Sequence, residues 1–160
     1  MTTKADFTEE EWARLERAPF VAGMAISLAD PGGPIEALKE TMATVKTVTE
    51  VAQSGGRGEL VDELAKSIAA RVQKRDNPLK EFRPKGAMAG EEILSEMRDV
   101  NATVTQKATP DEAEAFRKWL LEAAQRAAEA AKEGGFMGFR AELVSQGEKD
   151  MLEQLRSALT

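Results

Sequence analysis

Six cationic side chains, Arg71, Lys74, Arg75, Lys80, Arg83 and Lys85, lie in one stretch with only Asp76 and Glu81 against them. A segment of net +4 in a chain of net charge −6 can hold an anion or present an electrostatic face to a partner. The competing role is structural: cations at the end of a helix complement its dipole and stay solvated. A second group of interest is Gly134-Gly135-Phe136-Met137-Gly138-Phe139-Arg140. Glycines allow close backbone approach and phenylalanine rings can stack, so Phe136, Met137, Phe139 and Arg140 form a candidate ligand or partner loop. The structural alternative is a helix C-cap, with Gly134 left-handed, Phe136 folded onto the last turn and Phe139 plugging the core.

Other chemistry is largely excluded by residue type. The chain has no His, Cys or Tyr. That removes Ser-His and Cys-His dyads, Cys-ligated zinc or iron–sulfur sites, and the HExxH and Glu-x-x-His metal motifs. Ser54-Gly55-Gly56-Arg57-Gly58 resembles a phosphate cradle only superficially, because a helix precedes it and no Lys-Ser or Lys-Thr closes it. The acids Glu9, Glu10, Glu11, Glu91, Glu92, Asp111 and Glu112 fall at predicted helix starts, where they help the dipole without any chemistry. No EF-hand spacing occurs. The expectation is therefore no cofactor, no metal and no catalytic residue, with carboxylate or lysine chemistry the one enzymatic route left open.

The elements that would position these groups are helices. The chain has 160 residues, 42% apolar and 31% charged, enough for one domain with a core spanning 1–160. Thr8 and Glu11 make a capping box, and Phe7 and Trp12 stand as a hydrophobic staple. Pro19 is expected to interrupt or kink this first helix, whose second half, to Ala29, is apolar and small-residue-rich and hence buried. After the turn Asp30-Pro31-Gly32-Gly33, a second helix, about Pro34 to Gln53, places Ile35, Leu38, Met42, Val45, Val48 and Ala52 on one face, read as facing inward. A third helix, about Glu59 to Lys74, turns Leu60, Leu64, Ile68 and Val72 inward. Arg75 to Gly90 is the longest connection, with one helical turn around Leu79 to Phe82, and a fourth helix carries Ile93, Met97, Val100 and Val104 on one face.

Thr109-Pro110-Asp111-Glu112 starts a fifth helix, with Phe116, Trp119, Leu120, Ala123, Ala124 and Ala127 inward. Ser145 and Glu148 cap a short last helix bearing Met151, Leu152, Leu155 and Leu159. The fold class predicted is all-α, a compact bundle of about six helices.

The block Ala130 to Phe139, Val144-Ser145 before the last helix, and the Ala29-Asp30-Pro31-Gly32-Gly33 turn resemble a group of small all-helical bacterial proteins. A weaker likeness, of fold class alone, is to helical tellurite-resistance-type domains. Neither resemblance implies an activity, cofactor or site residue.

The acidic balance argues against nucleic-acid binding, and the longest apolar run, Ala18 to Ala29, is too short to span a bilayer. With no basic-then-apolar leader, a cytoplasmic protein is expected. Three functions are then weighed. The first is a non-catalytic interaction or self-association module, partnered by itself or another protein. Val51, Val61, Leu121 and Leu143, off the main stripes, are its candidate exposed patch. The second is a binder of a small apolar ligand between helices, rimmed by the Phe136 to Phe139 loop and the basic connection. The third is an enzyme.

Overall fold

In the computed structural model, residues 2–132 and 144–160 are described, without the side chains of 131 and 132. Six helices are described: α1 (Glu9–Ala29), α2 (Pro34–Ser54), α3 (Glu59–Gln73), α4 (Ala89–Lys107), α5 (Pro110–Lys132) and α6 (Gln146–Ala158). Short 3-10 turns at Lys4–Asp6 and Gly86–Met88 precede α1 and α4, and no strand occurs among the described residues. Helices α1 and α5 pack on each other and each touches all the remaining four, so these two form the axis of an all-α bundle.

Local chemistry sets the helix starts. Thr8 Oγ1 accepts the Glu11 N–H at 3.1 Å while the Thr8 N–H donates to the Glu11 carboxylate at 2.9 Å. The staple is present too, with Phe7 and Trp12 ring centroids 5.7 Å apart. Thr109 and Glu112 repeat the reciprocal pattern at the head of α5, and Ser145 caps α6 through the Glu148 N–H. Each satisfies backbone donors that a helix start leaves without an internal partner.

Helix α1 runs through Pro19 without interruption. The proline removes one N–H from the ladder, and the helix holds because most of its second half is set in the core: Ala18, Phe20, Val21, Ala22, Ala25 and Ile26 are all buried. Gly23 is where α2 comes closest; a Cβ there would stand 2.9 Å from Thr44 Oγ1.

The core is otherwise the one the periodicity predicts. Trp12, Leu15, Leu60, Leu64, Ile68, Ile93, Met97, Val104, Phe116, Trp119, Leu120 and Leu155 are fully buried or nearly so. Helix α2 departs from prediction. It turns Glu40, Thr44, Thr47, Val48 and Val51 into the bundle and leaves Ile35, Leu38 and Met42 in solvent. The inward reading of its apolar stripe is thus wrong for the three largest residues.

Threonine makes that inversion inexpensive. The Thr44 hydroxyl donates to the Glu40 carbonyl at 3.1 Å and that of Thr47 to the Ala43 carbonyl at 2.8 Å. Each buried hydroxyl is therefore satisfied inside its own helix, and the methyl group is left to pack.

Candidate functional site

The outward face of α2 is the largest deviation from an ordinary surface. Ile35, Leu38 and Met42 are 67%, 60% and 61% exposed. A groove of about 420 Å³ continues along the same helix, lined by Met42, Val45, Thr49 and the flanking Lys46 and Glu50. Leu28 at the end of α1 and Met88 before α4 are also exposed, and Leu28 lies against Gly90. The residues proposed from sequence as an apolar patch are placed elsewhere. Val51 and Val61 are buried, Leu121 is half-buried against the core, and Leu143 lies outside the described residues. The correction has a simple cause. Val51 and Val61 belong to the buried core on α2 and α3, two helices that pack on each other and on α5, so positions off the main stripe of one helix can belong to the stripe facing a second neighbour.

Beside the buried side of α2 lies a cavity of about 210 Å³, walled by Phe20, Met24 and Leu79 with Ser27, Glu40 and Thr44. Glu40 is buried and accepts a hydrogen bond from Ser27. The cavity is smaller than the roughly 300–1,000 Å³ usual for drug-sized ligands.

Two cations of the basic stretch, Arg71 and Lys80, are paired within the fold. Arg71 donates to Asp76 at 2.9 Å and reaches Glu16 at 3.4 Å; Lys80 meets Asp76 at 2.9 Å. These two cations hold the Asp76 carboxyl at about 2, well under the usual aspartate value. Arg75 takes a left-handed conformation, φ 58°, as the chain leaves α3, and the Asp76 N–H closes back on the Arg71 carbonyl at 3.0 Å. Lys74, Arg75, Arg83 and Lys85 are exposed. Of the six residues, then, two are engaged in ion pairs: Arg71 of α3 links Asp76 of the connection to Glu16 of α1, and Lys80 braces the same Asp76. The loop residues Phe136, Met137, Phe139 and Arg140 lie outside the described residues.

The strongest polar constellation went unread in the sequence. Glu96 of α4 is buried and takes Arg14 in a two-pronged grip, at 3.2 and 2.9 Å, and Arg17 at 3.0 and 2.8 Å. Burial pushes its carboxyl up, but the bonds from Arg14 and Arg17 outweigh that and the net shift is downward. Arg17 also lies 5.3 Å from the Phe82 ring centre, which ties the long connection to the same spot. Nearby, buried Glu16 accepts the Ser67 hydroxyl at 2.6 Å.

A signal for both acids did exist. Glu96 is flanked by Ile93, Met97 and Val100 on the apolar face of α4, and Glu16 by Trp12 and Leu15 on that of α1. Acids in such positions need cationic partners, and the cluster here is saturated by its own arginines, as a structural clamp requires. Among the described residues no group of three or more acids is placed to hold a metal ion, and no helix is long and apolar enough to cross a membrane. No protein family, curated protein or solved structure matches the chain.

Proposed function

We propose that the protein is a non-catalytic interaction module whose contact surface is the outward face of α2. One observation carries the reading: Ile35, Leu38 and Met42 stand in water on one face of a helix whose opposite face seals the bundle with threonines. Covering three such side chains gains roughly 4 kcal/mol in all, and a helix that exposes them while burying Glu40 forgoes that gain in the monomer. The missing His, Cys and Tyr support the non-catalytic part of the reading. The smaller reading, an apolar-ligand site in the 210 Å³ cavity, has in its favour the apolar walls of Phe20, Met24 and Leu79.

Dilute peroxide footprinting at nanomolar protein tests the proposal. Met42 and Met88 are expected to oxidise well before buried Met97 and Met151. In parallel, Leu38→Glu is expected to leave the melting temperature within about 1–2 °C of the parent, since a surface change moves stability by no more than about 0.5 kcal/mol. Oxidation of Met42 as slow as that of Met97 would mean the face is covered within the chain, and the reading fails.

A further inference from the structure

Resting on that reading, the occupant of the α2 face can be specified. The outward stripe is Ile35, Leu38, Met42, Val45, Thr49 and Ala52; the first three are exposed and the last three half-buried, with Val45 and Ala52 also touching the core. Its spacings alternate three, four, three, four, three. That is the strict heptad seam by which one helix packs against another, narrower than the stripe of a helix buried in a globular core. A flat lipid surface or a small ligand does not call for such a register.

The seam is also graded. Its N-terminal half is bulky (Ile35, Leu38, Met42) and its C-terminal half small (Val45, Thr49, Ala52). In an antiparallel pair of α2 helices the layers become Ile35 against Ala52 of the second copy, Leu38 against Thr49, and Met42 against Val45. Large then meets small in every layer, and the groove at Val45 and Thr49 receives the bulky half of the second seam. A parallel pair would set Ile35 on Ile35 at one end and leave a gap at Ala52. The antiparallel arrangement is a closed two-fold, in which one patch is its own complement. Charge agrees: Glu36, Lys39, Lys46 and Glu50 beside the seam sum to zero. Two chains of net −6 therefore meet through a face of no net charge, although this register brings Lys39 near Lys46 of the second copy.

We propose that this face is the two-fold interface of a reversible homodimer formed by antiparallel α2 helices. A helix of 21 residues is about 30 Å long. Pairing along it removes on the order of 1,000 Å² in total, below the standard interface of about 1,600 Å² and in the weak, transient class. A dissociation constant on the order of 10 µM is expected.

Sedimentation equilibrium of the full chain from about 1 to about 500 µM should follow a monomer–dimer isotherm. Leu38→Glu should weaken it at least about tenfold with the melting temperature unchanged. The chain lacks cysteine, so orientation is read by oxidising single-cysteine variants. Leu38→Cys mixed with Thr49→Cys should give the heterodisulfide, and Leu38→Cys alone should give little dimer. Monomer at every concentration, with Met42 still rapidly oxidised, overturns the dimer while the open-face reading stands. Efficient dimerisation of Leu38→Cys by itself overturns the antiparallel register. A dimer untouched by Leu38→Glu places the interface elsewhere and overturns the proposal.

Discussion

Helices α2 and α5 are similar in length, 21 and 23 residues, both amphipathic, and packed side by side along the bundle, yet they are used in opposite ways. Helix α5 turns Phe116, Trp119 and Leu120 into the centre, where all three are fully buried. Helix α2 turns its large residues away and seals the interior with Thr44, Thr47, Val48 and Val51. Periodicity identifies a helix and its stripes; it does not say which stripe meets the neighbours. What decides α2 is the surface it lands on. Gly23 and Ser27 of α1 offer a close, partly polar seat, which small threonines fit and leucine does not.

The sharpest way to break this contrast is truncation on each helix. Trp119→Ala should cost about 3–5 kcal/mol, lowering the melting temperature by about 10 °C or more, whereas Ile35→Ala should stay within about 0.5 kcal/mol. Equal losses in thermal denaturation would mean α2 buries its apolar side after all. An intermediate effect tests the seat itself. Gly23→Ala places a methyl 2.9 Å from Thr44 Oγ1, a hydroxyl held by its bond to Glu40, and overpacking of this kind costs about 1–3 kcal/mol. Adding Thr44→Ala should recover part of that loss, since it removes the hydroxyl that the new methyl would meet. Strict additivity of the two changes would show that the helices do not meet there.

The smallest effect concerns how α5 is pinned. Glu112 accepts the Thr2 N–H at 2.9 Å and the Thr2 hydroxyl, and its carboxylate closes the Thr109 cap at 3.1 Å. Burial pushes its carboxyl up, but these bonds prevail and hold it at about 2, below the ordinary value of 4.5. A depressed carboxyl stabilises the folded state above pH 4.5, and the contribution disappears as pH falls toward 2. Glu112→Gln should therefore be less stable at pH 6 by about 1 kcal/mol, with the gap closing by pH 2. A pH-independent gap would assign the loss to packing. Helix α2 starts instead with the Glu36 carboxylate accepting the Gly33 N–H at 2.9 Å.

Residue chemistry and spacing already placed six helices, the three caps at Thr8, Thr109 and Ser145, and the buried faces of α3, α4 and α5, because capping and 3.6-residue periodicity are local. The candidate sites were less legible. Two cations of the basic stretch, Arg71 and Lys80, are taken up by Asp76 within the stretch, and for Arg71 a further partner, Glu16 on α1, lies far along the chain. The Glu96 clamp needed acids to be read as members of an apolar face. Orientation of α2 was the property that sequence could not yield. Two of its stripes are compatible with burial, and the choice between them depends on the shape of a surface assembled from α1, α3 and α5. A helix's pattern is written in its own residues, but which side is covered is set by neighbours that only the folded chain brings together.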